Sequence, residues 1–594
     1  MAFNKYFQDE LNALRELGSA FSQQNPGLAK FLSEDSEDPD VERLLEGFAF
    51  ISGRLRQKLD DEFPEISHSL INLLWPNYLR PTPSMSILEF TPRAQAITEK
   101  KTIPRGTEVQ SVEVEGTACR FQTCYDVDVA PIEIKSATAK DTSDGAYIKI
   151  GFDIEPGVSS EDINLDTLRL HLHEDQKRPV SRILYMWLFR YLRDVEVSIK
   201  VKGENAAKKT TLPAYAVKPT GFAADQSLLP NPAKTYSGYR LLQEYFQLGE
   251  KFLFFDVHSL GDILKEPKLE SFSLTFRFMR QFDNQIKVRK ENFRLFCTPI
   301  VNLYEQDADP IRLEHLRSEY LVRPSTDNLE HVEVFSVEQV TGKLKGRSTQ
   351  INYAPYESFE HTKHYDSEGG AFYKLNYRPS VLNEGLDHYI SFVTGSQNEE
   401  FHNETISVEL VCTNRNLPGS LQAGQINCDT GNSPEYVTFN NISRVTSAMS
   451  PPFVSGLHWR LLANLALHYR SIVTVEGIRS LVRIYDFAAF TNRQRERATK
   501  LLCEGIENVE TKNIDVVHAG RPTMGLETTL YLRESKFGAK GLQGEANMYL
   551  FASVLNLFFA QYARTNSFHQ LKIKALESGE IYSWPMSSGS RERF

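Results

Sequence analysis

Residues 38 to 83, DPDVERLLEGFAFISGRLRQKLDDEFPEISHSLINLLWPNYLRPTP, constrain the chain most. Asp38 suits an N-cap, Pro39 the first helical position, and Asp40 and Glu42 the positive end of the helix dipole. Val41, Leu44, Leu45, Phe48, Ile51, Leu55 and Leu59 recur at three- and four-residue intervals and predict one broad apolar face. Arg56 with Asp60 and Lys58 with Glu62 stand four apart on the polar side. Pro64 ends or bends this helix, and Ile66, Leu70, Leu73, Leu74 and Tyr78 continue the pattern in a second one. Upstream, Phe7, Leu11, Leu14 and Phe21 predict a further amphipathic helix that stops near Asn25-Pro26-Gly27. The segment holds no nucleophile pattern, metal-ligand set or phosphate loop, so its chemistry is packing. Periodicity alone assigns such faces to the chain's own core, and contact with helices of other chains is the alternative.

At 594 residues the chain is long enough for several domains, each with a core. A net charge of -10 without a long basic run argues against nucleic acid as a partner. Aromatic residues, 11% of the chain, exclude disorder and favour β-rich domains with large contact surfaces. The run Ile183–Phe189 is far too short to span a bilayer, and the N-terminus carries acids early. A cytoplasmic location is expected, and Cys119, Cys124, Cys297, Cys412, Cys428 and Cys503 are expected to be reduced structural thiols.

After Pro83 the texture becomes strand-like. Met85–Phe90 alternates, and Ile103–Ile134 alternates with turns at Pro104-Arg105-Gly106 and Glu115-Gly116. Strands are predicted near 146–153 and 167–173 and over Phe252–Val257 and Phe272–Phe278, with helices over Arg182–Arg193 and Tyr239–Phe246. His331–Val340 and Ile406–Val411 fall in a second strand-rich region, and the polar loop Pro355–Gly370 interrupts it. Later come an apolar helix over Leu457–Tyr469, a helix capped by Thr474, a strand over Leu526–Leu532, a helix over Glu545–Arg564 and a strand over Phe568–Ile573. The expected fold is α+β and multidomain. It comprises an N-terminal helical assembly segment (1–85), two β-rich, sandwich- or barrel-like regions (86–295 and 296–445) and a C-terminal mixed α/β domain (446–594).

Candidate chemistry is sparse. The glycine-rich loop Gly538–Gly544 precedes a helix but lacks the Lys-Ser/Thr ending of a P-loop, and a plain turn explains it. His171 and His173 would share a strand face, and His361 and His364 sit in a polar loop; neither pair has a clear third ligand. Acid clusters such as Asp60-Asp61-Glu62 and Asp307-Ala308-Asp309 suit solvated helix ends and turns. No Gly-x-Ser-x-Gly elbow or His-Glu-x-x-His pair occurs. No catalytic residue, metal site or cofactor is expected, and the chain is not expected to be an enzyme.

Several segments, in order along the whole chain, resemble the TssF (ImpG/VasA) family, baseplate subunits of the bacterial type VI secretion system. They are Asp38–Phe50, Leu74–Pro81, Ile103–Thr107, Cys119–Thr123, Glu250–Asp256, Thr298–Tyr304, Cys412–Pro418, Trp459–Leu462 and Asn566–Phe568. The resemblance implies a protein similar to the wedge protein of phage-tail baseplates. Two TssF-like chains would join one TssG-like chain, and six such wedges would ring a VgrG-like central spike. TssK-like trimers would link the wedge to the inner-membrane complex, and a TssE-like protein would connect it to the sheath. A wedge of a phage tail or related contractile injection particle is the alternative setting. The resemblance also turns the N-terminal helices toward other chains, with Leu44, Leu45, Phe48, Leu55, Leu59 and Trp75 as expected packing residues. Arg415 and Asn416 would position neighbouring segments or form a structural loop.

Overall fold

The computed structural model describes residues 39–60, 64–158, 165–173, 180–201, 207–231, 237–266, 269–282, 286–313, 317–344, 350–356, 371–380, 385–394, 404–451, 473–518, 521–561 and 567–588, with isolated positions near 7–14, 163, 458–462 and 563. Most of the predicted loop 355–370, with His361 and His364, and most of the predicted helix 457–469 lie outside them. Two compact units form, one from Met1–Leu79 with Pro452–Ala466 and the other from Arg80–Pro451 with Leu467–Phe594.

The first unit is helical where it is described. Helix α1 spans Pro39–Asp60 and α2 spans Pro64–Leu74, broken at the expected proline. A 3₁₀ turn, Pro76–Tyr78, closes it over buried Trp75 and Tyr78.

The second unit is built on sheets that are mostly antiparallel. One takes the order Val437–Asn441, Met85–Pro92, Cys297–Val301, Thr117–Thr123, Glu108–Val114, so strands from both sides of residue 295 share it. Its last two strands form the hairpin expected at Glu115-Gly116, whose residues have φ of 51° and 77°. Both are left-handed, as tight hairpin turns demand. A second sheet pairs Leu192–Val201, Leu269–Phe278 and Gly145–Ile154, and an eight-stranded sheet contains Glu404–Thr413 and Glu333–Leu344.

Two asparagines clasp the first and the eight-stranded sheets together. Asn414 accepts from the Arg120 amide at 3.1 Å and from Asn302 Nδ2 at 2.8 Å, and its own amide donates to Asn302 Oδ1 at 2.7 Å. Asn302 Nδ2 also donates to the Arg120 carbonyl at 2.6 Å. Both residues are buried, so the full set of partners is what makes their burial tolerable. Arg415 beside them has φ of 51° and donates to the Val332 carbonyl at 2.8 Å, while Asn416 is exposed. The segments Thr298–Tyr304 and Cys412–Pro418 are thus joined by these asparagines.

Helices α3 (Ser181–Arg190), α4 (Ser237–Gln247), α5 (Val475–Tyr485), α6 (Arg493–Gly505) and α7 (Leu542–Ala560) complete this unit. Thr474 caps α5 as expected, its hydroxyl accepting from the Gly477 amide at 3.0 Å. Helix α7 is buried nearly all round. Fourteen of its residues are buried, because α3, α4 and the strand Phe568–Ala575 enclose it on several sides. The long hairpin Ile506–His518 with Arg521–Leu532 is the least anticipated element; its second strand continues in parallel register with Phe568–Ala575.

Candidate assembly interface

Helix α1 turns its large apolar side chains outward. Leu44 is 74% exposed, Phe48 61% and Ile51 68%. At 100° per residue these three fall within a narrow stripe that Leu55 and Leu59 prolong; the side chains of the latter two lie outside the described residues. Leu45 is half-buried at the edge of the stripe. The inward face is made of small residues, with Ala49 and Gly53 buried. Ser52, at the edge of the stripe one turn on from Phe48, donates to Glu10 Oε2 at 2.9 Å, tying α1 to the helical residues 10–14. Periodicity assigned the broad face to the chain's own core; the structure instead puts alanine and glycine inside and leaves leucine, phenylalanine and isoleucine in water. Full burial of each such side chain is worth about 1.5–3 kcal/mol, and no contact among the described residues supplies it to Leu44, Phe48 or Ile51.

Helix α2 divides its surface differently. Ser67 and Ile71 are buried, whereas Leu70 and Leu74 are partly exposed. Trp75, at 1% exposure, is a core residue of the single chain. His68 meets His458 edge-on at 5.0 Å, and burial followed by the neighbouring His68 lowers the His458 imidazole to about 4.

The remaining candidates for chemistry resolve as architecture. His171 and His173 have ring centroids 6.4 Å apart, and burial lowers His171 to about 3. Among the described residues no group of three or more His, Cys, Asp or Glu converges as metal ligands. In the glycine-rich loop, Gly538 and Gly541 take φ of 88° and 68°, and a Cβ on Gly544 would collide with the Ala539 carbonyl. These glycines serve a turn and a close approach. All six cysteines are free thiols; burial raises Cys119 to about 11 and Cys124 and Cys412 to about 12, so they stay protonated and unreactive. A cavity of about 340 Å³ is lined by Arg105, Tyr125, Asp126, Asp128 and Arg169. Its cations are engaged: Arg169 grips Asp256 with two bonds of 2.8 and 2.9 Å, and Arg105 donates to the carbonyls of Asp225 and Ser227.

Two charged clusters lie inside the second unit. Glu244, Lys251 and Arg240 are all buried. The Glu244 carboxylate accepts from Lys251, from Arg240 at 3.4 Å and from the Leu228 amide at 2.8 Å. Arg240 also donates to the Phe222 and Ala223 carbonyls at 2.9 and 3.0 Å. The second cluster joins α7 to the end of α3: Tyr582 donates to Glu545, Tyr191 donates to Glu580 at 2.9 Å, and Arg280 pairs with Glu580 at 2.7 Å. Burial, then the Glu580 carboxylate, raises Glu545 from 4.5 to about 7. A carboxyl with a folded pKa above its unfolded value stabilises the fold fully below about pH 4.5 and loses that contribution as pH rises through about 7. Melting temperatures from pH 5 to pH 8 should therefore fall in the native chain through this group, and Glu545→Gln should flatten that fall. An unchanged pH slope in the variant would remove Glu545 from the account.

The surface thus offers an exposed apolar stripe on α1 and no assembled reaction centre among the described residues. The type VI secretion system TssF family matches residues 1–591. Type VI secretion system component TssF1 of Pseudomonas aeruginosa is 28% identical, over 99% of this chain and 98% of that protein. A type VI TssK-TssF-TssG baseplate subcomplex contains a chain superposing with a TM-score of 0.75 at 27% identity, covering 92% of this chain and 99% of its own. A chain of a type VI baseplate complex gives 0.59 at 25% identity, over 99% and 100%. The chain belongs to the TssF family and is a structural component of the type VI secretion baseplate.

Proposed function

We propose that this subunit works as the scaffold of a baseplate wedge, with residues 1–85 as its assembly segment. The carrying observation is the outward stripe of Leu44, Phe48 and Ile51 on α1. A stripe of that width and spacing fits a bundle with helices of other chains, and Leu45, Leu55 and Leu59 extend it. Trp75, buried at the end of α2, packs within the single chain instead. The partners are a TssG-like subunit, joined by two copies of this chain, and TssK-like trimers; the TssK-TssF-TssG composition of the similar subcomplex supports these two. A TssE-like protein toward the sheath and a VgrG-like spike at the centre complete the setting. The wedge sits in the cytoplasm, docked at the inner-membrane complex.

The mechanism is mechanical. The assembled wedge holds the contractile tail extended, and a change in helix packing between two wedge states releases it. Catalysis has no part in that cycle. Co-expression with a TssG-like subunit tests the reading. A stable complex with two copies of this chain per partner is expected, and a chain that purifies as a monomer and ignores the partner contradicts it.

A further inference from the structure

A second surface on this molecule has a different chemistry. Helix α6 buries Thr499 and Cys503 and fixes that side by hydrogen bonds, Thr499 to the Asp486 carboxylate and the Cys503 carbonyl to Arg479 at 2.9 Å. Its opposite side carries Arg493, Arg497, Lys500 and Leu501, all exposed and spaced at one and two helical turns. Among the described residues, Arg493, Arg497 and Lys500 have no hydrogen-bond or salt-bridge partner. The one acid on that stripe, Glu504, pairs with Lys536 at 3.0 Å and also feels Lys500 one turn away, and Glu496 stands at its margin. Apolar anchors frame the cations: Leu501 is 42% exposed, and Phe490, in the short turn that leads into the helix, 43%.

The placement is costly for an isolated chain. Arg493 stands in the first turn, where the positive end of the helix dipole disfavours cations, whereas Arg495 there is already engaged by Asp486 and the Phe246 carbonyl. The local charge also opposes the net charge of -10. An anionic occupant relieves both. From Arg493 to Lys500 the stripe is about 10 Å long, two helical turns, which matches carboxylates at i, i+3 and i+4 on a facing helix. The acidic remainder of the chain repels extended phosphate polymers and anionic lipid, and the apolar anchors suit a protein segment.

We propose that the outward face of α6 docks an acidic segment of another protein subunit, with clustered Asp or Glu and one apolar anchor. This rests on the baseplate reading only in its choice of partners. Carbodiimide treatment of the complex reconstituted with TssG-like and TssK-like subunits, followed by mass spectrometry, should yield an amide between Lys500 and an Asp or Glu of a partner. The triple variant Arg493→Glu/Arg497→Glu/Lys500→Glu should weaken that partner's binding by about tenfold or more and abolish the salt dependence of the contact. The same variant should keep the native circular dichroism spectrum and melt close to the native chain, because all three side chains are exposed. A complex that assembles through α1 while Lys500 acetylates as fast as in the free chain overturns the docking surface and leaves the baseplate reading standing. So would cross-links only to a second copy of this chain, or binding of phosphatidylglycerol vesicles or a 20-nucleotide RNA that the triple variant loses.

Discussion

Leu44→Asp combined with Phe48→Asp is expected to abolish recovery of the TssG-like complex while leaving the chain folded. Both side chains are mostly in water in the single chain, so exchanging them for aspartate costs the isolated fold about 0.5 kcal/mol or less. In a helical bundle the same positions become buried anchors, and losing each costs about 2–4 kcal/mol, roughly 30- to 1,000-fold in affinity. A buried aspartate adds a desolvation penalty. The circular dichroism spectrum and the denaturation midpoint report the fold, and co-purification reports the bundle. Unfolding of the doubly substituted chain would instead mean that α1 packs on its own unit through this face.

Glu244→Leu is expected to be the most destabilising single change in the second unit, at about 3–5 kcal/mol. It strands Lys251, which is fully buried, and removes the acceptor of Arg240 and of the Leu228 amide. Burial already pushes the Lys251 ammonium down to about 8 despite the carboxylate beside it, so the desolvation cost there is large. Glu244→Leu/Lys251→Met should recover most of the loss, since Arg240 keeps its two carbonyl acceptors. Urea midpoints of the two variants measure this. Equal midpoints for Glu244→Leu and the native chain would show that the cluster is solvated.

The Glu115-Gly116 hairpin, the Thr474 cap and the alternation of Phe272–Phe278 follow from local chemistry, and the structure has all three. The direction of α1 does not. A helix with leucines and phenylalanine on one side and Ala49 and Gly53 on the other has the same periodicity whichever side meets its neighbours. The absence of reactive residues in this segment and the family motifs point toward other chains, which is why the α1 stripe is put forward as a proposal. Arg240 and Glu244, four apart on α4, look like an ordinary wet ion pair; only the tertiary fold buries them together with Lys251. The strand Ile506–His518 was invisible because its charged and polar residues stand on both faces, and pairing with Arg521–Leu532 overrides its weak propensity. The basic stripe of α6 was diluted by an acidic average. Net charge describes the whole chain, whereas docking reads one face of one helix.

The central claim is that this chain exists to be covered by other chains along α1. Native mass measurement of the co-expressed complex tests it most directly. One TssG-like subunit carrying two 67.8 kDa chains is expected, with that species absent for the doubly substituted α1 variant. A free 67.8 kDa monomer in the presence of the partner, or a complex that the α1 substitutions leave intact, would contradict it.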